Sequence, residues 1–308
     1  MARPLTAEGF VAEPSRGGLQ NRTYLRLFWT QLSKSPLALG SLFILIVLTL
    51  GSVFADQINE SIAYDPQEIY VGARNEPPSA QHWFGTDHLG RDLFSRMLVG
   101  GRVSLAIGVL VALISVAIGA MLGAISGYFG GAIDTLIMRF VDVWLNFPAI
   151  FFLIAVVTVV GASFWNLVLA IGVLSWPGIC RIVRANILSL KEREYVQASR
   201  AIGAGGMRII LRHLIPNTMA PVIVNATLTV AGAILSEAGL SYLGLGVDAA
   251  HTPTWGNILQ AGKPFLIGGI NFWYTFFPGL FIFITVLTIN FLGDGLRDAL
   301  DPKLSTKA

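Results

Sequence analysis

The sequence predicts an all-α integral membrane protein with six transmembrane helices, because it is strongly apolar and its apolar residues fall into six long runs. Of its 308 residues, 54% are hydrophobic and 13% are charged, and the mean hydropathy is +0.67. Soluble domains carry roughly 25% charged residues. Each run is close to the ~20 residues that cross a bilayer as a helix. We expect the spans at about residues 37–55, 103–127, 134–160, 164–186, 217–240 and 273–293.

These spans organise the rest of the chain. The first thirty residues are polar, so we expect no cleavable signal peptide. The single cysteine, Cys180, excludes an internal disulfide. We expect an N-terminal segment at 1–36, a first span at 37–55, a polar loop at 56–100, a core of five spans at 101–293 that contains the loop 187–216, and a tail at 294–308.

The charges predict the orientation of the chain in the membrane. Residues 1–36 carry five basic residues against two acidic ones, and residues 181–212 carry seven against two. Residues 56–100 are the reverse, with seven acidic residues against three basic ones. Basic residues in short loops mark the cytoplasmic side. We therefore expect both termini and the 181–212 loop in the cytoplasm and the 56–100 loop outside, as an even number of spans requires.

The most distinctive stretch is residues 194–216, EYVQASRAIGAGGMRIILRHLIP, a polar and basic run between apolar spans. Tyr195, Ala198 and Ile202 fall on one face of a first short helix. A second helix would place four residues on its own apolar face: Met207, Ile210, Leu211 and Leu214. Gly203, Gly205 and Gly206 allow a sharp turn between the helices, and Pro216 can open the helix that follows.

This stretch resembles the coupling motif of binding-protein-dependent ABC importer permeases, written as EAA, three residues, Gly, nine residues and I-x-L-P. Gln197, Ala198 and Ser199 stand at the EAA positions, Gly203 at the glycine and Pro216 at the proline. The chain departs from the motif at Gln197, Ser199 and His213. The resemblance implies that this loop couples to an ATPase through Glu194, Gln197, Ala198, Ser199, Gly203, Ala204, Arg208 and Pro216.

Four further stretches resemble a narrower group, the C-type permeases of dipeptide and oligopeptide importers, which also includes nickel permeases. They are residues 82–108, 127–148, 252–259 and 277–303. The resemblance implies the six-helix bundle of type I ABC importer permeases, similar to the methionine importer permease, with cytoplasmic coupling helices. It also implies a location in the bacterial inner membrane.

The resemblance further implies a heteromeric machine. A B-type permease would form the other half of the path, two ABC ATPase subunits would hold ATP and Mg, and an extracytoplasmic solute-binding protein would deliver a peptide. The sequence also predicts that this chain is not itself the ATPase, because it contains no GxxxxGK[ST] phosphate loop, no HExxH motif and no metal-ligand spacing. We expect no cofactor in this subunit and no nucleic acid partner.

Three polar residues within the predicted spans are candidates for the translocation path. Glu237 could line a water-filled path, or it could sit at the outer interface and bond its neighbours. Asn225 and Asn290 are weaker candidates, because hydrogen bonding between helices also explains them.

The outer loop offers a second candidate surface. Its run GTDHLGRD contains Asp87, Arg91 and Asp92, which could contact the binding protein or the partner permease. The alternative is a loop that folds over the bundle.

Two helix-spaced patterns have more than one interpretation. Gly119, Gly123 and Gly127 form a small-residue face that could pack within the bundle or against a partner subunit. Arg139 and Asp142 stand three residues apart and could pair on one helix face.

Two alternatives to a peptide importer stay open on the sequence. The same machinery could carry nickel or another small solute. A stand-alone secondary transporter or intramembrane enzyme would instead need paired buried charges within spans, broken helices in repeated halves, or a catalytic dyad. We find none of these patterns in the sequence.

Overall fold

The computed structural model describes residues 29–62, 64–69, 72–248, 252–265 and 271–300. The first half of the chain contributes six helices: α1 (Pro36–Val53), α2 (Ala55–Ser61), α3 (Leu93–Phe129), α4 (Gly131–Asn146), α5 (Ala149–Val160) and α6 (Phe164–Leu190). The second half contributes α7 (Glu194–Ala201), α8 (Gly206–Ile209), a π-helical turn (Ile210–Leu214), α9 (Ile215–Asn217), α10 (Met219–Tyr242), α11 (Trp255–Gly262), a 3-10 turn (Lys263–Phe265) and α12 (Trp273–Leu300).

The predicted all-α membrane fold is confirmed. Five helices, namely α1, α3, α6, α10 and α12, are long and apolar enough to cross a membrane, and α4 with α5 makes a sixth span if the pair is counted as one. That pair corrects the prediction of one continuous span at 134–160, because α4 and α5 meet at 85°. Pro148 causes the break, since it has no amide hydrogen and forces Phe147 into an extended conformation with ψ of 128°.

Several helix ends also differ from the sequence prediction. α3 begins at Leu93, about ten residues before the predicted span, because the Asp92 carboxylate accepts a hydrogen bond from the Ser95 amide at 2.8 Å and caps the helix. α12 continues to Leu300, past the predicted end of the span. α11 lies in a region predicted as loop, and a capping box between Thr254 and Asn257 starts it.

The face of small residues on α3 packs within the chain. A Cβ added at Gly119 would lie 2.7 Å from the Trp176 carbonyl oxygen, and one added at Gly123 would lie 2.4 Å from the Cys180 carbonyl oxygen. One added at Gly127 would lie 2.9 Å from the Ile187 side chain. Because only glycine allows this approach, α3 and α6 form the central helix pair of the bundle, which supports the first of the two interpretations above.

Ion pairs fasten α4 to α6. The Asp134 carboxylate accepts from both the Nε and the Nη2 of Arg184, at 2.5 and 2.7 Å. Asp142 pairs with Arg181 at 2.5 Å, which corrects the expected pair with Arg139. The i,i+3 rule finds partners within one helix only, whereas Arg181 comes from a neighbouring helix 39 residues later.

Contacts between helix ends fix the relative topology. A Cβ added at Gly295, near the end of α12, would meet Ala38 at the start of α1. The end of α12 also shares a cavity with the end of α6 and the start of α10. At the opposite end, the Trp255 indole donates to the Met97 carbonyl at 2.9 Å. The start of α1, the 187–216 loop and the end of α12 therefore lie at one end of the bundle.

Candidate functional site

The 187–216 loop folds into a short helix, a tight turn and a second helical segment. α7 ends in a Schellman motif, in which the Gly203 amide donates to the Arg200 carbonyl at 2.9 Å and the Ala204 amide donates to the Ser199 carbonyl at 3.0 Å. Gly203 has φ of +84°, a left-handed conformation that only glycine adopts without strain. The turn thus depends on Gly203, whereas Gly205 has an ordinary φ of −64°.

One buried side chain attaches α7 to the bundle. Val196 is fully buried in a cluster with Ile209, Ile210 and Leu214 from the second segment and Ile187 from α6. The same cluster continues into α3. α7 is therefore packed directly against the central pair of helices.

Polar contacts reinforce this attachment at the end of α3. The Lys191 Nζ donates to the Gly127 carbonyl at 3.1 Å. The Arg200 guanidinium lies 4.9 Å from the centre of the Tyr128 ring, and its Nε donates to the Tyr128 hydroxyl at 3.3 Å. A Cβ added at Gly206 would come within 2.8 Å of the Tyr128 ring. Tyr128 thus stands between both halves of the loop.

The opposite side of the loop exposes apolar groups. Ile202 is 86% exposed, and Tyr195, Met207 and Leu211 are 40–50% exposed. Ala198 is also exposed. The predicted faces are therefore only partly buried: Tyr195, Ala198 and Ile202 point away from the protein, while Ile210 and Leu214 point into it. We call the exposed set of Tyr195, Ala198, Ile202, Met207 and Leu211 the docking face.

The second segment connects the loop to α10 without a flexible linker. The Ile215 amide donates to the Ile210 carbonyl, five residues earlier, so the helix widens into a π turn. Pro216 follows, where a missing amide hydrogen prevents the ordinary bond to residue 212. The Thr218 amide donates to the Leu214 carbonyl at 3.2 Å, and the Thr218 carbonyl accepts from Val222 at 3.3 Å.

The other predicted coupling residues lie on the surface of this loop. Glu194 is exposed in the first turn of α7, where the helix dipole stabilises a negative charge. The Gln197 amide lies 3.5 Å from the Glu192 carboxylate, and the Ser199 hydroxyl donates to its own helix at Tyr195. Arg208 is exposed, and Ala204 packs against the buried cluster.

The predicted outer-loop residues are buried rather than displayed. Asp87 is fully buried, bonds the Arg91 Nε at 2.7 Å and accepts from two backbone amides. Asp92 caps α3 and pairs with the His82 Nδ1 at 2.9 Å. Desolvation lowers the pKa of the neighbouring His88. For Asp87, Arg91 and Asp92 the structure favours the alternative interpretation, a loop that folds over the bundle.

The candidate path residues take different positions. Glu237 is fully buried and its Oε1 accepts from the hydroxyls of Ser241 and Thr254, both at 2.7 Å, which joins α10 to the start of α11. Asn225 and Asn290 are half-buried, and each side-chain amide donates to the carbonyl four residues earlier in its own helix. These intrahelical bonds correct the expectation of hydrogen bonds between helices.

Comparison with known proteins identifies the family. The family model described as "Binding-protein-dependent transport system inner membrane component" matches residues 119–306. This chain belongs to that family. The N-terminal part of the permease, residues 23–78, matches a second family model, "N-terminal TM domain of oligopeptide transport permease C".

Curated relatives of the permease are peptide and glutathione transport permeases. The dipeptide transport system permease protein DppC of Bacillus subtilis is 42% identical over 285 residues, which cover 92% of this chain and 87% of the relative. The glutathione transport system permease protein GsiD of Escherichia coli O6:K15:H31 is 43% identical over 286 residues, 92% of each chain. A putative peptide permease protein of Brucella suis is 46% identical over 242 residues, 79% and 80% of the two chains.

Solved structures confirm the fold of the permease. An inward-facing structure of the MetNI methionine ABC transporter matches with a TM-score of 0.53 and 22% identity, covering 67% of this chain and 96% of that chain. A second crystal form matches with a TM-score of 0.50 and 21% identity, covering 66% and 95%. With the family match and the relatives described above, the chain is a multi-pass permease component of an ABC importer and not a stand-alone secondary transporter.

Sequence reasoning missed residues that give the loop its rigidity. Tyr128 is distant from the motif along the chain, and only the fold brings it beneath Arg200 and Gly206. Val196 directly follows Tyr195 of the predicted apolar face. Helical periodicity does not show which of these two apolar side chains the bundle buries. The proline after Phe147 was the one available signal for the broken span.

Proposed function

We propose that this permease forms one half of the translocation path of an ATP-driven importer of di- or oligopeptides. The observation that carries the proposal is the docking face, an exposed apolar surface on a loop whose other side is buried in the bundle. Exposed apolar patches mark interaction sites. The names of the relatives, which include dipeptide and glutathione permeases, support a peptide cargo.

The proposed assembly contains a B-type permease as the second half of the path, two ABC ATPase subunits and an extracytoplasmic binding protein. The ATPase subunits hold ATP and Mg and perform the hydrolysis, while this chain has no catalytic site. Both termini and the 187–216 loop face the cytoplasm. The basic residues of that loop and the shared end of the bundle support this orientation.

The mechanism starts at α7. Ala198 is small and exposed, so a groove on the ATPase can close around the helix between Tyr195 and Ile202. Gly203 turns the chain sharply after α7, so the outer side of α7 stays accessible to the ATPase. Glu194, Gln197 and Arg208 surround the apolar contact with polar groups, as at the rim of an interface.

Two rigid connections carry the movement inward. Val196, Lys191 and Arg200 connect α7 to the ends of α3 and α6. The π turn and Thr218 connect the same loop to α10. ATP drives the change only if it binds the outward-facing assembly more tightly than the inward-facing one. Approach of the two ATPase subunits then turns three spans of this chain together.

The remaining polar candidates have smaller roles in this proposal. Asn225 and Asn290 are half-buried. Each uses its side-chain amide nitrogen for a bond within its own helix, and its side-chain oxygen can still contact the path. Glu237 holds the outer helix α11 in place through Thr254.

The test is uptake by the complete importer in proteoliposomes. Radiolabelled dipeptide should accumulate with ATP, whereas nickel should not. Ala198→Arg, which places a long charged side chain on the docking face, should abolish ATPase recruitment and uptake, while Ala198→Ser should keep both. Uptake of nickel without peptide would refute the cargo, and normal ATPase recruitment by Ala198→Arg would refute the docking face.

A further inference from the structure

The broken span bends beside α6. α4 and α5 meet at Phe147 and Pro148, and the adjoining Trp144 lines a cavity together with Leu174 of α6. The Trp144 ring also lies 6.3 Å from that of Trp176, the thirteenth of the 27 residues of α6. The part of α6 before the basic residues Arg181 and Arg184 crosses the membrane, and Trp176 belongs to that part. The bend therefore lies within the membrane span and not at its surface.

The bend leaves backbone groups without partners. Among the residues that the structure describes, no backbone hydrogen bond reaches the carbonyls of Leu145 and Asn146, and Pro148 has no amide hydrogen to donate. Leu145, Asn146, Phe147 and Pro148 are all exposed. Irregular backbone at membrane depth occurs only where protein covers it or where it lines a water-filled cavity. The bend thus cannot face lipid.

A polar stripe on α4 leads from its first turns to the bend. Thr135, Arg139, Asp142 and Asn146 are spaced by four, three and four residues, so they share one side of the helix. All are exposed or half-exposed, and Asp142 pairs with Arg181, whose side chain is 50% exposed. Charged groups within membrane spans face a bundle interior or a water-filled cavity. Apart from Asp134 in the first turn, which pairs with Arg184, the other residues of the helix are apolar or glycine.

We propose that this stripe and the bend form a wall of the water-filled path, and that the bend is a contact site for the main chain of the peptide in transit. The proposal rests on the function proposed above. The carbonyls of Leu145 and Asn146 can accept from peptide amides. The Trp144 Nε1 is buried beside the bend without a hydrogen-bond partner in the described part of the chain, and a rotation of its ring toward the path would let it donate to a peptide carbonyl.

An apolar cavity beside the bend fits one side chain of such a peptide. It has a volume of about 430 Å³, and Val143, Phe152 and Leu174 are among the apolar residues that line it. Contacts to the main chain are the same for every peptide, and an apolar cavity accepts side chains of many shapes. The site therefore binds short peptides with little preference for sequence beyond one apolar residue.

A helix of the partner permease is a poorer occupant of this surface. Its own amides are already bonded, so it would leave the carbonyls of Leu145 and Asn146 unsatisfied, and burial of polar groups without hydrogen bonds is costly. It would also bury the pair of Asp142 with Arg181. Water and an extended peptide can satisfy these groups.

Cysteine accessibility in the complete importer tests the proposal, because the single native cysteine, Cys180, is fully buried and gives little background. Arg139→Cys and Asn146→Cys place thiols on the stripe, and Phe140→Cys places one on the exposed apolar side of the same helix. Each variant, in inside-out and right-side-out membrane vesicles, is treated with a positively charged, membrane-impermeant methanethiosulfonate. The nucleotide-free and ATP-trapped states are compared, with and without a dipeptide that carries one apolar side chain.

We expect Arg139→Cys and Asn146→Cys to react and Phe140→Cys to stay unmodified. Dipeptide at roughly ten times its Kd should slow the reaction of Asn146→Cys about tenfold, because only about one site in eleven then stays free. Failure of Asn146→Cys to react in every state would overturn the water-filled wall. Reaction without protection, in vesicles that import the dipeptide, would overturn the peptide contact. If the vesicles import no dipeptide, the cargo proposal fails separately, and reactivity still decides whether the wall faces water.

Discussion

Replacement of Gly203 tests whether the turn after α7 transmits force. Gly203 has φ of +84°, and an added Cβ would meet no atom within 4 Å. The cost of Gly203→Ala is therefore the backbone strain alone, roughly 1–2 kcal/mol for an L-residue in the left-handed region. Asparagine tolerates this region better than alanine does, and β-branched valine tolerates it worse. Gly203→Val should therefore strain the turn most, Gly203→Ala less, and Gly203→Asn least.

A strain of this size shifts the balance between the formed and the open turn by a factor of about 5–30. An open turn releases the two bonds that close the Schellman motif, so α7 can move without moving the bundle. The measurement is peptide imported per ATP hydrolysed in proteoliposomes that contain the complete importer. We expect this ratio to fall in the stated order while the ATPase subunits stay bound.

Gly205→Ala is the matched control for this series. Gly205 stands two residues later, has φ of −64° and also has no atom within 4 Å of an added Cβ. Alanine fits that conformation, so the ratio should stay at its wild-type value. Equal ratios for Gly203→Val, Gly205→Ala and the wild type would refute the idea that the strained turn couples the subunits.

Three further substitutions test the packing that supports this mechanism. Gly123→Ala should destabilise the purified permease by about 1–3 kcal/mol, seen as a lower Tm, because the new Cβ would lie 2.4 Å from a backbone oxygen of α6. Val196→Ala should cost about 2 kcal/mol through the loss of buried methyl groups and should lower import per ATP. Thr254→Val should cost about 1–3 kcal/mol, measured by thermal unfolding, because it removes both a donor to the buried Glu237 carboxylate and the side-chain cap of α11.

Each of these substitutions has a control in the same region. Gly178→Ala should leave the Tm unchanged, because an added Cβ meets nothing within 4 Å. Ala201→Ser changes an exposed residue of α7 and should not alter import per ATP. Ser241→Ala removes the other hydroxyl from Glu237 and leaves the cap of α11 intact, so it should lower the Tm less than Thr254→Val does. A Tm for Gly123→Ala equal to that of Gly178→Ala would contradict the close contact of α3 with α6.

Local composition predicts the membrane spans and the turn at Gly203, but it does not predict which side chains pair between helices. Apolar runs of about 20 residues predict five of the spans, because a bilayer imposes the length of a helix whatever the helix packs against. Gly203 predicts its own turn, since only glycine fits there without strain. The pairing of Asp142 with Arg181 is different, because the two residues lie on separate helices 39 positions apart. Nothing local distinguishes Arg181 from the nearer Arg139.

The bend at Pro148 shows that a long apolar run can outweigh the weaker signal of a single proline. Residues 134–160 are mostly apolar and have charged residues only in their opening turns, so their composition predicts one straight span. Proline is tolerated within membrane helices, and Pro177 and Pro278 do lie inside the unbroken α6 and α12. A single proline therefore does not decide between a kink and a break. Here the chain breaks and turns by 85°, and Phe147 at the turn stays 61% exposed.

The docking face shows why amphipathic periodicity alone does not locate a core. Tyr195, Ala198 and Ile202 repeat at helical spacing, which in a soluble domain predicts the buried side of a helix. In this chain that side faces outward, and Val196 on the other side is buried. Both sides of α7 are apolar because both meet protein: one meets the bundle of its own chain, and we expect the other to meet the ATPase. An exposed apolar repeat opposite a buried anchor is what force transmission between two subunits requires, since a helix held on one side only could not pass a movement on.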